Sequence, residues 1–277
     1  MRLGGHLFEK YNDADEWIKA LKCQGYRAAY CPVDSSADDN TIDSYVKAAA
    51  AADIIIAEVG VWNNPLSSDP DERSQALKKC REQLYLADRL GAACCVNIAG
   101  SRGSKWDGPH PDDLTGETFD MIVESVRSII DEVKPSRTFY TLETMPWMYP
   151  DSPESYLELI KAVDRKQFAV HLDPVNLVCS PQRYFGNAEL TRECFKILGP
   201  YIKSIHVKDI ILREKLTVHL DEVRPGLGAF DLGALLREVY ALNPDIPLML
   251  EHMTQEEDYV LAAEHLRSVD ARLASSK

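Results

Sequence analysis

The sequence predicts an α/β protein built as one closed (β/α)8 barrel, a single domain over residues 1–277. Three observations carry this. Short apolar, β-branched or aromatic runs alternate eight times with longer amphipathic segments. The chain divides into units of about 35 residues, the size of one strand-helix repeat in a barrel of this length. The competing open doubly wound sheet favours a glycine-rich phosphate loop after an early strand, and neither G-x-G-x-x-G nor a P-loop sequence occurs.

In order along the chain, a strand at 2–5 leads to a helix at 13–23, where Asp15 and Glu16 fill the first turn and Gln24-Gly25 supply the stop. Trp17, at helical spacing from Leu21, belongs to the core. Strands at 26–31 and 53–59 precede helices at 42–51 and 70–90. The strand at 93–98 carries Cys94 and Cys95 as small core residues, and a helix follows at 118–132. The strand at 138–143 is apolar up to Glu143; its helix, 153–163, starts with a Ser152 cap and Pro153 at the first helical position. Strands at 168–173, 202–207 and 247–251 pair with helices at 188–198, 232–242 and 255–273. Two stretches, 100–116 and 208–231, are too long for plain connections, and loops of that length usually serve function.

The bulk properties exclude several classes. With 45% hydrophobic and 27% charged residues the composition is that of a globular protein. No apolar run approaches the roughly 20 residues needed to cross a membrane, and the N-terminus lacks a signal-type apolar stretch. A formal charge of −13 with scattered Lys and Arg opposes nucleic-acid binding. Seven cysteines, an odd number with no C-x-x-C pair, fit reduced thiols in a cytoplasm.

In a βα barrel, chemistry gathers where the strands end. The fifth strand ends in Glu143, the sixth in Asp173, the seventh near His206 and the eighth in Glu251, positions 30, 33 and 45 residues apart, about one repeat per step with the last step enlarged by the 208–231 loop. A lone acidic residue at a strand end is usually a helix cap or a surface charge. Three carboxylates converging on one rim repel strongly at low dielectric, and a cation resolves the repulsion. Three carboxylates and an imidazole suit Mn2+, Mg2+ or Co2+, and Zn2+ less well.

Glu143, the HLDPVN of 171–176, the HVKD of 206–209, the RPGLGAFD of 224–231 and Glu251 together resemble the xylose isomerase-like TIM-barrel superfamily of sugar and sugar-phosphate isomerases and epimerases, over essentially the whole chain. The resemblance implies that Glu143, Asp173, His206 and Glu251 bind a divalent ion, Mn2+ foremost. It also makes Glu143 and Glu251 the catalytic pair, exchanging a proton beside a substrate carbonyl. A metal on that carbonyl and its neighbouring hydroxyl acidifies the C–H between them and stabilises the enediolate that follows. Bases on opposite faces invert configuration; one base serving neighbouring carbons interconverts aldose and ketose. The pattern departs from the group's ketose 3-epimerases at Asn176, where they carry histidine, and at Leu212, where they carry arginine; Arg213 follows one step later. Barrels of this group often pair with a second copy, although no interface is legible here.

The substrate-binding candidates are His6, Glu58, Trp106, Trp147, Asn176, Lys208 and Arg224. Lys208 shares the strand face of His206, and Glu58 ends the third strand just before Trp62. Each has a plainer reading: an ion pair for Lys208 and Arg224, a cap for Glu58. Trp62, Trp106 and Trp147 follow strands and suit the C–H faces of a carbohydrate. His171, on the side of Asp173, reads as a core histidine or a group one layer below it. His252 is expected to point away from the site, and His219 and His265 to lie on the surface.

The leading expectation is a metal-dependent isomerase or epimerase of a small sugar or keto-sugar, working in the cytoplasm. A lyase or dehydratase acting on a keto-sugar or inositol-type substrate uses the same chemistry and is the alternative. A three-zinc endonuclease of this superfamily conflicts with seven histidines and a charge of −13; a non-catalytic sugar-binding barrel would bind ligand without exchanging its protons.

Overall fold

The computed structural model describes residues 1–275. The chain forms β1 (Arg2–Gly4), β2 (Ala28–Tyr30), β3 (Ile55–Gly60), β4 (Cys94–Asn97), β5 (Tyr140–Glu143), β6 (Phe168–Leu172), β7 (Ile202–Val207), β8 (Asp209–Arg213), β9 (His219–Val223) and β10 (Pro247–Leu250). Eight of these make one sheet in the order β1-β10-β7-β6-β5-β4-β3-β2, every neighbouring pair parallel. At the remaining seam between β1 and β2, Arg27 N–H donates to the Leu3 carbonyl at 2.9 Å, so the barrel is nearly closed.

Helices fill the intervals: Ala14–Cys23, Asp39–Ala52, Pro70–Leu90, Gly116–Val133, Pro153–Val163, Asn187–Leu198, Leu232–Leu242 and Glu256–Ser275, with a short extra turn of helix at Pro181–Phe185. Local chemistry sets their ends. Asp13 accepts from Glu16 N–H, and Ser152 and Ser155 form a reciprocal capping box ahead of Pro153. The second helix starts three residues before its expected position because Asp38 caps it, accepting from Thr41 N–H. Trp17, Leu84 and Tyr156 are buried between barrel and helices, with Cys95 on the barrel's outer side. Among the described residues no helix is long and apolar enough to cross a membrane.

The segment 208–231, expected to be a loop, is a correction: β8 and β9 pair antiparallel there, Asp209 opposite Val223 and Arg213 opposite His219. Both strands are largely exposed at their outer ends, so they lack the apolar alternation that marks a strand packed on a core. Asp209 holds the base of this hairpin. Its carboxylate accepts from the amides of Ile210 (2.8 Å), Gly226 (2.9 Å), Gly228 (3.0 Å) and Phe230 (2.9 Å), and a side chain at residue 228 would collide with it. Charge-assisted bonds to buried amides contribute about 1.5–3 kcal/mol each, so Asp209→Ala is expected to destabilise the protein by at least about 3 kcal/mol. Denaturant unfolding measures the loss, and hydrogen exchange should show the hairpin opening first; an unchanged midpoint would contradict this account.

Candidate metal and substrate site

Strand geometry assembles the cluster at the carboxyl-terminal rim. Glu143 is the last residue of β5, Asp173 and Glu251 immediately follow β6 and β10, and His206 lies in β7. One ligand atom from each lies within 4.8 Å of all the others, and all four side chains are buried. His206 Nδ1 sits 3.1 Å from Glu143 Oε1 and 3.0 Å from Glu251 Oε2, and Nε2 lies 3.2 Å from Glu58 Oε1.

Two side-chain cations already stand among these carboxylates. Lys208 Nζ, 2.8 Å from Asp173 Oδ2, 2.7 Å from Glu251 Oε1 and 3.2 Å from Glu222 Oε2, is one. His206 is the other: burial opposes its charge, but Glu251, Glu58 and Glu143 outweigh burial and hold its pKa well above the usual value. For Lys208, burial is likewise outweighed by Asp173 and Glu251, which raise its pKa. Burial pushes Glu251 up, yet His206 and Lys208 bring it well below the usual carboxylate range. The mutual repulsion anticipated from sequence is therefore answered first from within the chain.

The donor set still fits a metal. Asp173 Oδ1 accepts from the amides of Val175 and Asn176 at 2.9 and 3.1 Å, which orients the carboxylate. Its Oδ2, and Glu251 Oε1, are buried oxygens that accept no well-aligned hydrogen bond despite their closeness to the Lys208 ammonium. Two buried carboxylate oxygens met only by the Lys208 ammonium, beside a third carboxylate and an imidazole, make a cradle for a hard or borderline divalent cation.

Above the cluster opens a cavity of about 600 Å³. His6, Glu58, Trp106, Trp147, Asn176 and Lys208 all line it, as does Trp62. The three tryptophans remain 37–39% exposed, so their faces are free to meet a ligand. Trp62 stacks near His206, and Trp147 Nε1 donates to the Asp107 carbonyl at 3.0 Å, tying the wall to the 100–116 loop. Asn176 Nδ2 donates to Glu143 Oε1 at 3.2 Å and to the Thr144 carbonyl at 3.1 Å. His171 is fully buried beneath, its Nδ1 3.7 Å from Glu58 Oε2; burial holds it neutral.

Arg224 is a correction to the substrate-binding set: it does not line the cavity, and its guanidinium lies 3.3 Å from Asp258 Oδ1, where it links the hairpin base to the helix Glu256–Ser275. His252 is another. Its φ of 59° breaks the strand alternation after Glu251, so the imidazole faces the cavity, 3.1 Å from Glu222 and 3.4 Å from Glu251. Glu222 escaped the sequence reading because its hairpin did; the alternation of HLDEV, which sets Leu220 and Glu222 on one face, was the only available signal.

A family model described as the xylose isomerase-like TIM barrel matches residues 16–269. The chain belongs to this family. Solved structures of xylose isomerase-like barrels superpose over nearly the whole chain. D-psicose 3-epimerase from Clostridium cellulolyticum H10, solved with D-tagatose, matches with a TM-score of 0.69 at 15% identity, covering 98% of this chain and 99% of that one. A xylose isomerase-like TIM-barrel protein from Mycobacterium smegmatis in complex with magnesium matches at 0.66 and 19%, over 98% and 92%. The probable 3-DHS dehydratase AsbF of Bacillus anthracis matches at 0.68 and 14%, over 97% and 98%. At these identities the likeness concerns the fold. A search of curated protein sequences finds no significant match.

Proposed function

We propose that the chain is a divalent-metal-dependent isomerase or epimerase of a small sugar or keto-sugar, acting as one domain in the cytoplasm. The observation that carries this reading is the convergence of Glu143, Asp173, His206 and Glu251 within 4.8 Å at the floor of a tryptophan-walled cavity. A divalent ion held by these four, Mn2+ by preference, supplies Lewis acidity that makes the C–H beside a carbonyl easier to ionise. The protein does the rest. Glu143 and Glu251 flank His206, and the net effect of His206 and Lys208 holds both carboxyls low and ionised, ready to accept a proton. Trp62, Trp106 and Trp147 pack the sugar's C–H faces, while His6 and Lys208 meet its oxygens.

The test is metal analysis of the purified protein, followed by a screen of ketoses and 3-keto-sugars in D2O by NMR. Solvent deuterium appearing at carbon without loss of water or aglycone supports the proposal. Elimination of water or aglycone marks the lyase reading instead, and binding without any exchange marks a sugar-binding barrel.

Loading the site has a pH signature. His206 holds a proton on Nδ1, the nitrogen facing Glu143 and Glu251, and must surrender it to become a ligand. Affinity for Mn2+ should therefore rise at least about tenfold per pH unit below the raised His206 pKa, and more steeply below about pH 8, where Asp173, whose carboxyl burial pushes up to about 8, must also release a proton. Calorimetric titration in buffers of different ionisation enthalpy counts the protons released; a flat pH profile would sink the assignment of His206 as a donor.

A further inference from the structure

We infer that Glu58 is a positioning residue: it fixes the His206 ring so that Nδ1, and not Nε2, is the nitrogen offered to a metal. The inference rests on the reading of Glu143, Asp173, His206 and Glu251 as a metal site, and reassigns Glu58 from sugar recognition to the support beneath it.

Glu58 lies in β3 with its side chain inside the barrel and only 1% exposed. Among the described residues no Lys or Arg approaches it within ion-pair distance; its ionisable contacts are His206 and the neutral His171. Oε1 lies 3.2 Å from His206 Nε2, and Oε2 accepts from Ser204 Oγ at 3.3 Å. A carboxylate is an acceptor only, so the charged ring turns N–H to carboxylates at both nitrogens; once a metal engages Glu143 and Glu251, Glu58 is the acceptor that remains, and it keeps N–H at Nε2 and leaves the lone pair on Nδ1. That nitrogen is the one aimed at Glu143 and Glu251.

The ring is also packed on one side. His171 packs edge-on against His206 at 4.1 Å between centroids, and Trp62 stacks on the ring at 6.1 Å and 29°. Flipping the imidazole would point Nδ1 at Glu58 and present Nε2 to the cluster from a shifted origin. Carboxylate-histidine-metal arrangements use an outer acceptor in this manner, and losing it typically weakens metal affinity by about 10–100-fold.

The test compares wild type with Glu58→Gln, which keeps the size of the side chain but brings an amide that can donate to Nε2 and favour the wrong tautomer. Titration of each with Mn2+ should show affinity falling about 10–100-fold in the variant. In the diamagnetic Mg2+-loaded proteins, long-range 1H–15N spectra should report a protonated Nε2 on His206 in wild type and a mixture of tautomers in Glu58→Gln. Glu58→Asp, which preserves the acceptor, should recover part of the affinity and the single tautomer, and it keeps the question open to decision if the glutamine variant fails to fold. Ser204→Ala removes a neighbour of Glu58 without touching His206, and should leave both readouts near wild type. Equal Mn2+ affinity and an unchanged tautomer in Glu58→Gln would overturn the inference. So would two ions per chain in wild type with one lost in Glu58→Gln, since Glu58 would then be a ligand itself. If wild type takes up no divalent ion at all, the metal reading falls and this inference falls with it.

Discussion

Glu143→Gln and Glu251→Gln are each expected to lower substrate turnover by about 10²–10⁴-fold, the usual contribution of a positioned proton carrier. Both carboxylates reach His206 Nδ1, at 3.1 and 3.0 Å, from either side of β7, Glu143 from β5 and Glu251 from the end of β10, so each addresses the cavity from its own side. Glutamine keeps an oxygen for a metal but cannot take a proton, so metal content measured alongside separates a lost base from a lost ligand. The pattern of loss carries more information than its size. With one base on each face, either substitution abolishes net epimerisation while one of the two epimers continues to wash out its own proton into D2O. With a single base serving two carbons, only one substitution silences exchange and the other merely weakens binding. Full exchange retained by either variant removes that residue from the proposed proton path.

What the sequence could reveal follows from the range of the interactions involved. Helix ends were legible where a side chain caps its own backbone, as at Ser152, because that bond spans three residues. The eight barrel strands were legible because strands covered on both faces read as apolar runs. The rim residues Glu143, Asp173, His206 and Glu251 came from a rule about where strands end, and the structure brings all four together. The hairpin β8–β9 was not legible. Its stability comes from Asp209 reaching amides up to 21 residues away, a contact with no periodic signature. Glu222 was lost with it through the unrecognised strand; His252, just after β10, was misplaced separately because its own positive φ reverses its direction. Arg224 was placed by its neighbourhood to the glycines, whereas its partner Asp258 lies in the last helix, where only the tertiary fold could point.

Lys208→Met should destabilise the metal-free protein by about 3–5 kcal/mol, the usual consequence of removing one partner from a buried ion pair. Lys208 is 1% exposed, and its ammonium lies 2.8 Å from Asp173 and 2.7 Å from Glu251. At an effective dielectric near 20 each contact is worth roughly 6 kcal/mol of attraction, which the desolvation of the ions largely cancels. The intact cluster is thus near balance: burial pushes the Asp173 carboxyl up to about 8 against the pull of Lys208, and truncation removes that pull from two buried carboxyls that face each other. Divalent metal should reverse the defect. The oxygens Lys208 touches, Asp173 Oδ2 and Glu251 Oε1, are the pair left without hydrogen bonds, so the ammonium and a metal ion draw on the same negative charge. Removing the ammonium lifts that competition, and Lys208→Met should bind Mn2+ more tightly than wild type while unfolding earlier in EDTA. Chemical denaturation with EDTA and with saturating Mn2+ measures both halves. An EDTA midpoint equal to that of wild type would mean that Lys208 is not the cation holding these carboxylates together, and weaker Mn2+ binding would mean that it assists the metal instead of competing with it.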